Sequence, residues 1–520
     1  MLPCNSPLDL AAYFLFQSRS CASREVANRL LKDYARQEIN ALLWLWLVAA
    51  TFLLLGRVHK LLRLWARARC IPGPPCSSFY GHTKPGLPQD FTDFLSVLHD
   101  KYGSIFKLWS SPMQLLVSVN NPVLAKEILF KAEDKFLCTG RALRLIFGQS
   151  NLFFCSYDKA RRIRGSFECE FNQISTDKRN LLCDSAMQSI EEKIICCMDK
   201  GSMDCKSISQ HMAFTILGTK IFGDSFLGCS SASSYEDLLK VIVKDAPSWS
   251  SYRVTPYWKL GFWRYEFLCK RLKYLTDEIA RQCRDTCNFM CSPDDFSSST
   301  NKRDGLKPTI GEESCGNIVG AMFHGSIALT ALICSVFERL ASDSRLQDEV
   351  YTEITSVRDQ SIHTLALLLA TIYESARLLP SKPLLQRCSL RKDLTLANGV
   401  RIPAGAIIIV PVHLLQTEIS AWGSDARNFD PYRFLQHSRE VSNASQGILK
   451  NLHPVLGEPT ENPSFLPFGA GVRACVAQKF VIHAVASLSA AILARYEVKY
   501  DSQSGKGETN SEILFVKRNA

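Results

Sequence analysis

The sequence predicts a mainly α chain with a small β region, preceded by one N-terminal transmembrane helix. Apolar residues recur at helical spacing over long stretches, between Asp177 and Cys291, from Asn317 to Leu340 and from Lys479 to Arg495. β-rich segments are short and few, at Ser104 to Val119, Val400 to Val410, Tyr496 to Tyr500 and Ile513 to Val516. Ahead of them, Ile39 to Gly56 is apolar except for Asn40 and Thr51, close to the roughly 20 residues that cross a bilayer.

At 520 residues and 46% hydrophobic content the chain can bury a large core, which excludes a disordered protein. Lys and Arg number 61 against 50 Asp and Glu, a net +11 that suits an acidic lipid surface or an acidic protein partner; no feature selects nucleic acid. The 20 cysteines are scattered, and Cys196 and Cys197 are adjacent, so the spacing fits neither a zinc site nor a secreted disulfide framework. They read as reduced thiols.

Residues 1–38 form an extension. Val26, Leu30, Leu31 and Tyr34 are spaced for an amphipathic helix from Arg24 to Glu38. Asp9, Glu25, Asp33 and Glu38 weigh against an organelle-targeting segment, which is poor in acids, and a mis-assigned start is the other reading. Residues 39–56 are the anchor. Arg57, His59, Lys60, Arg63, Arg67 and Arg69 follow directly and place that end on the cytosolic side. Ile71-Pro-Gly-Pro-Pro75 fixes φ and prevents helix continuation, so residues 57–75 read as a basic, proline-rich linker to one domain over 76–520.

Asp90 to Leu129 reads as helix, strand, strand, helix, with Gly103 stopping the first helix and Asn121-Pro122 opening the second. Ser156 to Phe171 is a basic helix carrying Lys159, Arg161, Arg162 and Arg164. Trp249, Tyr252, Tyr257, Trp258, Phe262 and Trp263 make an aromatic connector that suits either a substrate mouth against lipid or ordinary core. Cys291 to Gly316 and Gln436 to Asn462 are polar and read as exposed loops, the second carrying an Asn443-Ala-Ser445 sequon.

The chemistry centres on Ser464 to Ala477, Ser-Phe-Leu-Pro-Phe-Gly-Ala-Gly-Val-Arg-Ala-Cys-Val-Ala. A haem iron that must split dioxygen needs an electron-rich axial ligand, which a cysteine thiolate supplies. Gly469 and Gly471 let backbone pass close to a flat ring, Phe468 can cover the sulfur of Cys475, and Arg473 can reach an anionic propionate. Phe468-x-x-Gly471-x-Arg473-x-Cys475 resembles the haem-binding loop of the cytochrome P-450 superfamily, of the membrane-anchored microsomal type. Ala477 stands where that family has Gly.

The resemblance covers about Pro72 to Val516 and implies the cytochrome P-450 fold with haem b, an iron protoporphyrin whose metal ligand is the Cys475 thiolate. It implies Arg164 as a propionate partner on the basic helix, where Ala160 replaces the family's Trp, while Arg161 and Arg162 can dock an acidic electron donor. Arg387 is a second propionate candidate by its spacing from Arg377, and Lys382 to Leu385 line the substrate space. Glu374 and Arg377, three apart on one helix face, are joined in the family to an arginine matching Arg433 in a buried charge network, a folding role.

The helix Asn317 to Leu340 is apolar all round and therefore buried. It resembles the family's helix over the haem, whose pattern of small residue, Gly, any residue, acid and Thr reads here His324, Gly325, Ser326, Ile327 and Ala328. Ile327 and Ala328 hold no transferable proton. Gly325, Ser326 and Thr330 are the catalytic candidates on this helix, with His324 as a further polar substitute. The resemblance then implies a monooxygenase that inserts one atom of O2 into a terpenoid, sterol or fatty-acid-like molecule, with electrons from NADPH through NADPH-cytochrome P-450 reductase, on the endoplasmic reticulum membrane with one span and a cytosolic catalytic domain. A hydroperoxide isomerase or dehydratase, and a degenerate haem-binding protein, are the alternatives.

Overall fold

The computed structural model describes residues 21–76, 81–82, 89–111, 114–132, 152–153, 157–172, 182–198, 203–250, 260–283, 312–356, 362–389, 392–435, 462–500 and 512–518. It forms two compact units, Met1–Arg69 and Cys70–Ala520.

The first unit is helix α1 (Cys21–Ala68). Residues 21–38 of the extension, the anchor and the linker up to Ala68 are one helix, with no proline within it. Leu43, Trp44, Leu45, Trp46, Phe52 and Leu53 are all exposed, and a belt of this kind calls for lipid rather than water. The stretch Asn28–Ala68 is long and apolar enough to cross a membrane.

The second unit opens with α2 (Gln89–Tyr102), β1 (Ile105–Ser111), β2 (Gln114–Val119) and α3 (Pro122–Lys131). Gly103, at φ +88°, ends α2 by donating to the His99 carbonyl, and the Asn121 side chain caps α3 by accepting from Leu124 N at 3.0 Å. His99 ties helix to sheet, with one ring nitrogen 2.9 Å from the Gly103 carbonyl and the other 2.8 Å from Ser118 Oγ. Burial holds its pKa below the usual histidine value.

Then come α4 (Tyr157–Asn172), α5 (Asp184–Met198), β3 (Met203–Asp204), α6 (Cys205–Phe222), α7 (Ala232–Ser250), α8 (Leu260–Gln282), α9 (Glu312–Ser342), α10 (Ser344–Ser356) and α11 (Ala366–Leu378). Helix α9 starts earlier than its apolar pattern suggests and takes in Glu312 to Gly316, which read as loop. It is the second helix apolar enough to cross a membrane, but it is mostly buried, as a core helix is. Leu329, Ile333, Val336, Phe337 and Leu340 are enclosed, and each such burial contributes about 1.5–3 kcal/mol.

The chain closes with β4 (Leu384–Cys388), β5 (Leu394–Thr395), β6 (Arg401–Ile402), β7 (Ile407–Pro411), α12 (Gln478–Leu493), β8 (Tyr496–Tyr500) and β9 (Glu512–Lys517). The sheets run β1-β2-β7-β4, β3-β9-β8 and β5-β6. Val400 to Val410, which by resemblance would be a hairpin, sends its halves to different sheets: β6 pairs with β5, while β7 lies parallel to β2 and antiparallel to β4. Gly405, at φ +82°, donates to the Ser389 carbonyl and turns β7 away. The sequon, the Gln436 to Asn462 loop up to residue 461 and most of the aromatic connector lie outside the described residues.

Candidate active site

The Cys475 loop runs between Leu466 and α12 and is fixed from several sides. Cys475 N donates to the Phe468 carbonyl at 2.8 Å, closing the loop on itself. Gly471 sits at φ +70°, and a Cβ there would lie 2.5 Å from the Leu129 carbonyl oxygen of α3, so neither the conformation nor the space admits a side chain. Arg164 on α4 donates to the carbonyls of Val472 at 3.1 Å and Ala474 at 2.6 Å, and pairs with Glu168. Its guanidinium is spent on the loop backbone. Arg473 donates to the Leu152 carbonyl at 3.1 Å.

Protein encloses Cys475, which pushes its thiol pKa up, yet the residue keeps accessible surface, as do Pro467 to Val476 around it. The loop therefore keeps an accessible face. The Ala477 N–H reaches the sulfur, and the charges of Arg164 and Lys382 favour its thiolate. Arg387, on β4, is buried; its Nη1 donates to the Gln386 carbonyl at 2.9 Å, and its Nε has no partner. Burial first, and then the Arg473 guanidinium, lower its pKa to about 10. Lys382 lies in the turn before β4, within the fields of Arg387 and Cys475.

Helix α9 is tied to this loop through Leu152 and Phe153. Asn317 Oδ1 accepts from Leu152 N at 2.7 Å, the His324 ring packs 4.8 Å from that of Phe153, and at Gly320 a Cβ would meet Phe153 at 2.4 Å. Along the same stripe Ile327 and Ala328 are half-buried and Ala331 is exposed, so this side of a core helix faces open space. Ser326 and Thr330 lie off that stripe, 8% and 7% exposed, with Ser326 Oγ unpartnered. Gly325 points toward α6, where a Cβ would lie 2.9 Å from Leu217. The structure brings His324, Ile327, Ala328 and Ala331 onto the open stripe and leaves Gly325, Ser326 and Thr330 off it. Ala331 escaped the sequence reading because an alanine in an apolar helix carries no signal of its own.

Behind the loop, Glu374 and Arg377 of α11 make a fully buried bidentate pair with both contacts at 2.7 Å. Arg433 Nε and Asp430 N also donate to Glu374 Oε1, at 3.1 and 3.0 Å. Arg377 Nη1 donates to the carbonyls of Gln416 and Ala426. The Gln416 amide extends the network to the haem-type loop, donating to the Arg377 carbonyl at 2.6 Å and accepting from Leu466 N at 3.0 Å. Nothing in the sequence pattern singles out Gln416. Separately, the sulfurs of Cys205 and Cys334 and a Glu338 carboxylate oxygen lie within 4.8 Å of one another where α6 meets α9.

Comparison with known proteins agrees with this architecture. The cytochrome P450 family model matches residues 71–520. Cytochrome P450 4X1 of Rattus norvegicus is 25% identical over 84% of this chain and 87% of its own length. Cytochrome P450 714B1 of Oryza sativa subsp. japonica is 32% identical over 36% of this chain and 32% of its own, and cytochrome P450 71A21 of Arabidopsis thaliana 30% identical over 32% and 31%. A match across nearly all of the second unit shows that the chain belongs to the cytochrome P450 family, haem-thiolate oxidoreductases whose haem b is held by a cysteine thiolate.

Proposed function

We propose that the chain is a membrane-anchored monooxygenase in which Cys475 is the axial ligand, and that it places one oxygen atom of O2 into a lipophilic molecule with NADPH electrons delivered by a flavin-containing reductase. The observation that carries this is the Cys475 sulfur itself, surrounded by protein yet partly accessible and met by the Ala477 N–H. When bound, the haem supplies O2 activation, and a thiolate ligand donates the electron density that this needs.

The residues present fit that group. Arg387 and Arg473 act on each other electrostatically, and Arg387 neither hydrogen-bonds nor ion-pairs with a carboxylate among the described residues. A propionate is an anion that Arg387 can take. Arg164 serves instead as a clamp on the loop. The Ala477 N–H orients the sulfur, Phe468 closes the loop, and Ile327, Ala328 and Ala331 give the open stripe of α9 an apolar surface. Arg161 and Arg162, exposed on α4, offer a basic face to an acidic electron donor. The apolar belt of α1 followed by Arg57, Lys60, Arg63 and Arg67 supports a single span with its C-terminal end in the cytosol, on the endoplasmic reticulum.

One observation favours a second reading. The open stripe of α9 offers Ile327, Ala328 and Ala331 beside His324, with neither a carboxylic acid nor an alcohol, which suits a substrate that brings its own oxygen, such as a hydroperoxide rearranged or dehydrated without external electrons. A reduced, carbon-monoxide-bound spectrum decides the ligand: a thiolate-type Soret band that is lost in Cys475→Ala is expected, and its retention in the variant overturns the assignment. Oxygen and NADPH consumption with reductase and a lipophilic extract then separates monooxygenation from rapid consumption of a fatty-acid hydroperoxide.

A further inference from the structure

Cys205 and Cys334 lie 129 positions apart in the chain, too far for a spacing motif, and the fold brings them together beside Glu338 where α6 meets α9. One sulfur and the oxygen come from a single helix face. Cys334 and Glu338 are four apart on α9, and Cys334 Sγ lies 3.5 Å from Glu338 Oε1. The second sulfur comes from the first residue of α6, with Cys205 Sγ 3.7 Å from the Cys334 carbonyl oxygen. The two sulfurs and the carboxylate oxygen all lie within 4.8 Å of one another.

Each of the three stands on firm backbone. Asp204, next to Cys205, pairs in β3 with Glu512 of β9, and its side chain caps α6 by accepting from Lys206 N at 3.2 Å. On α9, Ile333, Val336 and Phe337 flank Cys334 and Glu338 and are fully buried, and the Phe337 ring meets that of Phe515 of β9 at 6.0 Å. The side chains therefore converge without a loop having to close. Cys205 is buried, while Cys334 and Glu338 keep accessible surface, which leaves an ion a way in.

Distance and donor type select the ion. Zinc holds thiolate sulfur at about 2.3 Å and carboxylate oxygen at about 2.0–2.2 Å, so tetrahedral neighbours stand about 3.5–3.8 Å apart. The contact between Cys334 and Glu338 already has that length, and closing even the widest pair takes no more than about 1 Å of side-chain movement. Magnesium and calcium take shells of oxygen, whereas two sulfurs favour a softer cation. On binding, the two thiol protons leave to solvent and the sulfurs bond the metal as thiolates.

We infer that Cys205, Cys334 and Glu338 form a zinc site of two thiolates and one carboxylate, with water in the fourth position, that pins the start of α6 to the second half of α9. The site is independent of Cys475 and of any haem held there.

The test takes full-length holoprotein, strips it with a chelator and dialyses it against zinc. Metal is counted by mass spectrometry, and its shell is read by X-ray absorption at the zinc edge, which haem iron does not obscure. One zinc per chain is expected, with two sulfurs at about 2.3 Å, oxygen at about 2.0–2.2 Å and a raised unfolding midpoint. Magnesium should neither bind nor raise the midpoint. Cys205→Ala and Cys334→Ala should each weaken zinc binding by about a hundredfold or more, and Glu338→Gln by about tenfold or more, with the carbon-monoxide spectrum unchanged. Cys269→Ala, at a buried cysteine outside the cluster, should leave zinc affinity as it is. Glu338→Gln keeps the packing of α9, so it decides the matter should an alanine variant fail to fold. No bound zinc in wild type, a shell without sulfur, affinity that survives in the cysteine variants or in Glu338→Gln, or a disulfide between Cys205 and Cys334 in the protein as isolated each overturns the inference and returns both cysteines to ordinary core.

Discussion

The Arg164 guanidinium donates to the Ala474 carbonyl at 2.6 Å, across 310 positions of sequence, one residue before Cys475. An arginine on a basic surface helix thus sets the backbone that carries the sulfur. Arg164→Ala removes two hydrogen bonds from a charged donor, each worth about 1.5–3 kcal/mol when buried. The expected result is a lower unfolding midpoint and conversion of the thiolate-type carbon-monoxide spectrum to the blue-shifted form on mild heating. An unchanged spectrum and midpoint would mean the clamp is idle.

Glu374→Gln leaves Arg377 and Arg433 without their shared carboxylate. Arg377 is fully buried, so the loss is of the order of 3–5 kcal/mol. Chemical denaturation should register it, and in cells the variant should accumulate as insoluble protein. Arg433→Ala should cost less, because that guanidinium is partly open to solvent and also pairs with Asp425.

Gly471→Ala sets a methyl against the Leu129 carbonyl at a φ that L residues avoid, a strain of about 1–3 kcal/mol before the clash is counted. Haem content per mole of protein is the readout, expected to fall sharply. Gly405→Ala, also at positive φ but with nothing near its Cβ, controls for the backbone contribution alone.

Ala331→Phe fills the open stripe of α9. It should bind lipophilic probes more weakly, seen as a reduced Soret shift, with stability changed by no more than about 0.5 kcal/mol. Leu329→Ala, two residues away and buried, should do the reverse, losing about 2–5 kcal/mol with little selective effect on binding.

His99 gives a pH dependence whose sign follows from its burial. Its folded pKa lies below 6.5, so as pH falls through 6.5 the unfolded chain takes up the proton first. The contribution is complete above 6.5 and is lost as pH drops toward the folded pKa, at up to about 1.4 kcal/mol per pH unit. Denaturation midpoints between pH 7 and pH 5 should fall less steeply in His99→Gln, which retains polar contact with Ser118; parallel curves would rule out His99 as the source.

How far the sequence could be read depended on how local each signal was. Phe468 to Cys475 was legible because the residues that set the loop are adjacent in the chain, and α2, β1, β2 and α3 because Gly103 and Asn121-Pro122 mark their ends. The carbonyl contacts of Arg164 were not, since a basic helix gives no hint that its guanidinium reaches Val472 and Ala474. Ser326 and Thr330 were picked for their protons, but which way a helical side chain faces depends on how the helix is rotated against α6, and that is fixed by contacts such as Leu217 against Gly325. Val400 to Val410 was read as a hairpin by resemblance, and its sequence does not record which sheet each strand will join.

The clamp from Arg164 to the loop also has a direction in time. A ribosome makes α1 first and Arg164 early, while Val472, Ala474 and Cys475 emerge only after more than 300 further positions. On the proposed membrane anchoring, the chain is tethered at the bilayer long before the Cys475 loop can close on α3 and α4. Cofactor capture would then fall to a nearly finished polypeptide at the membrane, and its yield should follow the local supply of haem there rather than the rate of translation.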